Sequence, residues 1–198
     1  MKLRNYLIGF IVLLFLIKCA NDNIDNENTI KDTYDQEEKT ASNITENREK
    51  KVLEFYPTPE NGYSPFDLYF GKGIYNNNSG NSFVIKNSNQ THAVVLLVDA
   101  YSERKVRNEF IRKGQTFSMT GVPDGTYYLK WMTGNDWSPN IKVGKLKGGF
   151  QTNMNFSESS SYKDWMSVSG YQEWTITLYS VSNGNMNQKG INKEQFAN

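Results

Sequence analysis

The sequence from about Val52 to Asn198 predicts an all-β fold, an antiparallel β-sandwich. Three observations carry that reading. Short runs of β-branched and aromatic residues are punctuated by glycine, asparagine and serine. Several of those runs alternate apolar and polar residues with a period of two. No stretch after residue 51 keeps a helical period over three turns.

The expected strands, in order, are Val52–Tyr56, Asp67–Tyr75, Ser82–Lys86, Ala93–Tyr101, Lys105–Arg112, Thr116–Thr120, Thr126–Thr133, Ile141–Val143, Phe150–Phe156 and Trp174–Val181. Ala93-Val-Val-Leu-Leu-Val98 is apolar at every position, which suits a central strand. The best-defined alternation is Gly125 to Thr133. It puts Tyr127, Leu129 and Trp131 on one face, and Tyr128, Lys130 and Met132 on the other, with Lys130 marking the second face as the wetter one. Its lead-in, Val122-Pro-Asp-Gly125, is a turn: proline presets φ and glycine accepts a positive one. Trp174, Ile176 and Leu178 alternate with Thr175, Thr177 and Tyr179, so Trp131 and Trp174 both read as core.

Residues 1–18 have a different character. Lys2 and Arg4 precede an unbroken apolar run from Tyr6 to Ile17, twelve residues long. A membrane-spanning helix needs roughly 20, so the run fits the apolar region of a signal peptide. The sole cysteine, Cys19, stands at its end. Leu16-Ile17-Lys18-Cys19 resembles the lipobox of bacterial lipoproteins. The resemblance implies cleavage before Cys19, acylation of its thiol and new amino group with fatty acids such as palmitate, and a lipid anchor in the membrane. Each buried CH2 of such a chain contributes roughly 0.8 kcal/mol. Lys18 stands where that family has Gly, Ala or Ser, and an uncleaved signal anchor is the alternative. The implied location is the cell envelope, as an outer membrane lipoprotein on the surface-exposed or periplasmic face.

Residues 19–51 read as the lipidated cysteine and a flexible acidic tether. From Asn21 to Lys51 nine acidic residues stand against five basic ones, and Ile24, Ile30, Tyr34 and Ile44 are the large apolar side chains. Such a segment buries too little apolar surface to offset its ordering entropy. A short helix around Asp35 to Lys51 is the rival reading. The acidic residues just after Cys19 resemble the export signal of some Gram-negative surface lipoproteins.

Within residues 52–198, the stretch Phe110-Ile-Arg-Lys-Gly114 … Val122-Pro-Asp-Gly-Thr-Tyr-Tyr-Leu129 resembles the Gly-x-Tyr-x-Leu hairpin of transthyretin-like and carboxypeptidase-regulatory-like modules. That resemblance implies an immunoglobulin-like or transthyretin-like sandwich with a non-catalytic role.

The chemistry-bearing residues point the same way. The 22 Lys+Arg and 21 Asp+Glu balance, and no basic run offers nucleic acid a face. One cysteine and one histidine, far apart, form neither an internal disulfide nor a Cys/His zinc site, so no metal or cofactor is expected. His92 precedes the Ala93 strand and has no nucleophile motif to serve. Asp124, Asp136, Asp164 and Glu173 are the candidates for paired-carboxylate glycan chemistry, but their spacing pairs none of them. Gly134-Asn135-Asp136 lacks the EF-hand spacing for calcium.

Trp137 and Trp165 lie in turn-rich segments, Gly134–Pro139 and Tyr162–Trp165, each directly after an aspartate. An Asp-Trp pair on a loop offers a flat stacking face and an adjacent acceptor. Asp136, Trp137, Asp164 and Trp165 are therefore the candidate ligand-binding residues; the competing reading is that each tryptophan plugs an end of the sandwich. The expected function is a non-catalytic binding or structural lipoprotein, engaging the membrane through its lipid and a glycan, peptide or protein through its sandwich. The alternatives are a carboxylate-dependent glycan-active enzyme and an immunity or inhibitor lipoprotein.

Overall fold

A computed structural model describes residues 52–159, 161–179 and 186–198. The expected signal peptide, Cys19, the tether and the end of the expected Trp174–Val181 strand lie outside the described residues. Among those residues, nine strands form two sheets: β1 Ser82–Lys86, β2 His92–Asp99, β3 Lys105–Ile111, β4 Thr116–Thr120, β5 Gly125–Val143, β6 Leu146–Ser159, β7 Met166–Val168, β8 Glu173–Thr177 and β9 Gln188–Gly190. The small sheet has the order β4-β1-β8 and the large one β3-β2-β5-β6-β9, with β7 beside the start of β5. Every ladder is antiparallel except β1–β8, which runs parallel from Ser82↔Glu173 to Lys86↔Thr177. The all-β sandwich is thus present.

The two sheets pack through one apolar layer. Phe83, Ile85, Met119 and Ile176 from the small sheet meet Ala93, Val95, Leu97, Tyr127, Leu129 and Trp131 from the large one. The alternation read from Tyr127, Leu129 and Trp131 is realised there. β2 is buried on both faces, since Val94, Leu96 and Val98 belong to a second cluster on the outer side of the large sheet.

That second cluster corrects the expectation of a wetter face. Lys130 is itself buried, and its Nζ donates to the Gln195 carbonyl at 2.6 Å. Burial lowers the Lys130 pKa. Three pieces of chain cover the face: the far half of the β5–β6 hairpin (Trp137, Val143, Leu146, Phe150), helix α1 with its preceding Phe66, and helix α2 with Phe196. Helix α1 is Asp67–Phe70 and α2 is Lys193–Ala197.

The long hairpin overturns the reading of Gly134–Pro139 as a loop. Thr126–Thr133 and Ile141–Val143 are parts of one strand, β5, with register shifts between Thr133 and Asn135 and between Ser138 and Lys142. Bulges of this kind bend a hairpin and raise its twist. Asp136 takes the positive φ of 55° that one bend needs. At Gly134 an added Cβ would stand 2.4 Å from the Cβ of Phe150, so only glycine lets the strands approach.

Two other expected strands are absent. Val52–Tyr56 has no ladder, and Asp67–Tyr75 begins with α1 instead. Helix wins there because Phe66 and Phe70 pack into the outer cluster, and because the Asn108 side chain accepts from Phe66 N–H at 2.7 Å and donates to Asp67 at 2.9 Å. The segment around α1 also covers the free edge of β3, through Gly62 N–H to the Phe110 carbonyl, Phe110 N–H to Tyr63, and Ile74 N–H to Val106. Edges left open invite association, and this covering blunts that edge.

Both open sides of the sandwich are closed by one long side chain. On the β3/β4 side, Arg107 donates through Nε to Glu109 at 2.7 Å and through Nη1 to the Thr120 carbonyl at 3.1 Å, while its guanidinium lies 4.2 Å from the Tyr75 ring centroid. Glu109 also accepts from the Ser64 hydroxyl at 3.2 Å. On the β7/β8 side, the Trp174 indole N–H donates to the Ser167 carbonyl at 3.3 Å. Trp174 is therefore an edge residue, 37% exposed, and not the core residue its alternation with Ile176 implied.

Arg107→Met should cost about 3–5 kcal/mol at neutral pH, because it strands a buried carboxylate. Burial already raises the Glu109 pKa from 4.5, against the attraction of Arg107. A carboxyl raised above its unfolded value is destabilised by ionisation, so stability returns as pH falls through the folded pKa toward the unfolded one. Urea titrations of the variant should thus lie closer to wild type at about pH 5 than at about pH 7. An equal gap at both would show that the Glu109 charge is not the cause.

Candidate ligand-binding face

The four candidate residues separate in the structure. Trp137 and Asp136 belong to the far half of β5, whereas Asp164 and Trp165 precede β7, which pairs with the start of that strand. Trp137 is 7% exposed. Its indole stands edge-on to Phe110 and Phe150, at centroid distances of 5.4 and 5.5 Å. It offers a ligand no face, and the proposal of a loop tryptophan there is corrected. Asp136 accepts from the Thr152 hydroxyl at 2.7 Å across the hairpin. The would-be calcium loop is this bulged strand.

Asp164 is buried at the end of a short 3-10 turn, Tyr162–Asp164. Its carboxylate accepts from the Ser161 hydroxyl at 3.1 Å and from the Asn187 backbone and side chain at 3.0 and 3.3 Å. These bonds fix the turn that presents the next residue, Trp165. Asp164 thereby positions the tryptophan, and it does not stand beside it as an exposed acceptor.

Trp165 is half-buried, and its ring meets Tyr101 edge-to-face at 5.9 Å. Tyr101 is 79% exposed on the β2–β3 turn. Asp99 braces that turn by accepting from Tyr101 N–H at 3.1 Å, Ser102 N–H at 2.7 Å and the Ser102 hydroxyl at 2.8 Å. The Ser102 backbone bond leads in lowering the Asp99 pKa, which keeps the brace ionised. Tyr101 was not anticipated from the sequence. Its signal was an aspartate two residues before an aromatic in a polar turn, the pattern of an Asx brace.

Beside the aromatic pair, β7 and β5 add hydroxyls. Thr126 and Ser167 are register partners, their hydroxyl oxygens 2.9 Å apart. They line a shallow dent with Asp124, Ser169 and Gln172. Residues alternate along β7, with Met166 and Val168 in the core, so Trp165 and Ser167 share the opposite face. The result is an open strip: two aromatic rings, then polar groups.

The remaining candidates for catalysis hold the fold. Asp124 accepts from Asn81 Nδ2 at 2.8 Å and Gly170 N–H at 2.9 Å. Glu173 accepts from the Ser82 hydroxyl at 3.0 Å. His92 opens β2 and packs against both Phe110 and Phe150, and its Nδ1 accepts from Lys113 N–H at 3.2 Å. Burial and then the Lys113 and Arg112 charges lower its pKa, which favours the neutral ring that this bond requires. Each of these groups sits in its own hydrogen-bond set. Among the described residues no cluster of three or more His, Cys, Asp or Glu could hold a metal ion.

The two tryptophans should respond differently to truncation. Trp137→Ala is expected to cost about 3–5 kcal/mol, as large aromatic truncations in cores do. Trp165→Ala and Tyr101→Ala should each cost under about 1.5 kcal/mol, the scale of one aromatic pair contact. Chemical denaturation of the three variants checks this; a Tyr101 variant as damaged as the Trp137 variant would make the exposed pair a structural element.

No known family model matches the chain, and no curated protein or solved structure matches it either.

Proposed function

We propose that this chain is a lipid-anchored lipoprotein of the cell envelope whose β-sandwich is a non-catalytic module that binds glycan. The observation that carries the binding role is the exposed Tyr101–Trp165 pair on a braced turn, beside the hydroxyl-lined dent. Sugar rings present apolar C–H faces and a rim of hydroxyls. An aromatic face takes up the first, and Thr126, Ser167 and Gln172 meet the second. The site is open and shallow, which suits one part of an extended chain. The anchor rests on the sequence: a short apolar run that ends at the sole cysteine, Cys19.

Binding of the purified chain to a glycan array tests the module. Tyr101→Ala and Trp165→Ala should each weaken binding about tenfold or more, equivalent to about 1.4 kcal/mol, while the thermal midpoint stays near wild type. Binding left intact in both variants would remove the face from consideration. For the anchor, metabolic labelling with a fatty acid should mark wild type and spare Cys19→Ala. Equal labelling of the two would exclude Cys19 as the acylated residue.

A further inference from the structure

The far end of the β5–β6 hairpin carries three lysines that form no ion pair among the described residues. Lys142 and Lys147 are register partners, and Lys145 lies in the turn between their strands. All three are exposed. Like charges directly opposite on an antiparallel pair repel each other. The ion pairs among the described residues are Arg107–Glu109, Arg112–Glu60, Lys189–Glu158 and Lys193–Glu194. None of the three hairpin lysines therefore has a described carboxylate partner.

The same hairpin holds an apolar segment outward. Gln151 donates through Nε2 to the Glu54 carbonyl at 2.6 Å and accepts from Glu54 N–H at 3.0 Å, in imitation of a backbone ladder. Asn140 donates to the Tyr56 hydroxyl at 2.6 Å. Phe55, between these ties, is 93% exposed, and Leu53, just before them, is 46% exposed. The one carboxylate of this stretch, Glu54, accepts from the Tyr56 hydroxyl at 2.6 Å.

An exposed phenylalanine tied to the same hairpin as three lysines without a described carboxylate partner is the composition of an interfacial membrane contact. The ring enters the boundary between headgroups and acyl chains, and the ammonium groups meet phosphate. Lysine, a compact charge on a flexible stem, suits a fluid array of phosphates, whereas a fixed phosphate site favours the rigid fork of arginine. We propose that this hairpin end docks on the anionic phospholipid headgroups of a bilayer. The proposal rests on the lipid-anchor reading for its access to that bilayer. Residues 20–51 separate Cys19 from the described chain, and even fully extended they reach at most roughly 110 Å.

The test uses the isotope-labelled, lipidated full chain on nanodiscs of phosphatidylcholine alone or with about one third phosphatidylglycerol, each doped with a gadolinium-chelating lipid. Amide resonances of residues 53–55 and 142–147 should broaden on the anionic discs, and much less on neutral discs or in about 0.5 M salt. Each lysine contributes roughly fivefold to partitioning at such a surface, so the K142Q/K145Q/K147Q variant should lower the docked-to-undocked ratio roughly a hundredfold and abolish the broadening. Phe55→Ser should reduce it independently of charge. Broadening that is equal on both disc types, or that survives the triple substitution, overturns the proposal. The anchor is judged separately, by whether retention on discs depends on Cys19. If Cys19→Ala is retained as wild type is, the anchor reading fails, and the hairpin broadening still decides the docking.

Discussion

Strand β2 is dry on both faces, and most of the architecture answers that constraint. Ala93, Val95 and Leu97 face the small sheet, while Val94, Leu96 and Val98 face away from it. A two-layer sandwich would leave the second set in water. Fully burying a valine or leucine contributes about 1.5–3 kcal/mol, so an open outer face would forfeit about 5–9 kcal/mol. That is comparable to the whole net stability of a typical domain, about 5–15 kcal/mol. The chain therefore builds a partial third layer. It extends β5 and β6 well past β2, bends them at two bulges, and adds Phe66 and Phe196 from two very short helices. Neither helix is long enough to be stable alone, and tertiary packing is what holds them.

Closing a sandwich twice leaves polar groups inside, and the fold satisfies them locally. Asn81 donates to the Val122 carbonyl and to Asp124, and accepts from Gln172 N–H. Asn87 donates to the carbonyls of Thr91, Ile111 and Arg112. Among the described residues no buried side-chain N or O lacks a partner. The residue types that a search for catalysis would single out are the ones drawn into this work. Asp124, Asp164, Glu109 and His92 each brace a turn, a strand edge or a ring stack. Among the described residues, the side chains left outward include Tyr101 and the lysines of the β5–β6 hairpin end.

The sequence was legible where one face of one strand decided the outcome. Tyr127, Leu129 and Trp131 alternate because the inter-sheet layer takes every second residue, and the continuous apolar run of β2 could only be central. It was misleading where a residue's role depended on a distant segment. Lys130 looks like a solvent marker until Gln195, far along the chain, supplies a carbonyl above it. Gly134-Asn-Asp-Trp-Ser-Pro139 has the composition of a loop, yet the pairing strand turns it into a bulged ladder. Trp174 shares a face with Ile176 but sits on an edge strand, where the sheet ends before the side chain does. Helix α2 did carry a local signal that went unread: Asn192 and Gln195 form a reciprocal capping box at its start. Strands β7 and β9, three residues each, have no period long enough to recognise.

The two proposed contact surfaces are joined by a single element. Thr126 of the ligand face stands at the beginning of β5, and Lys142 of the hairpin end stands at its close. β2 pairs the near half of that strand, up to Gly134, and β6 pairs it from Lys130 to Val143, so the two ends belong to one continuous ladder. A flexible tether by itself fixes only how far a domain can travel from its anchor, and leaves its orientation free. A second, weak contact at the hairpin end, as proposed, would remove much of that freedom. If the hairpin end docks as proposed, holding Lys142 at the headgroups would, through β5, bias the direction in which Tyr101 and Trp165 are presented. Weakness would suit that purpose: on the lipid-anchor reading, about three charges and one ring would act at the high local concentration that an anchor imposes, and would need no affinity that matters in free solution.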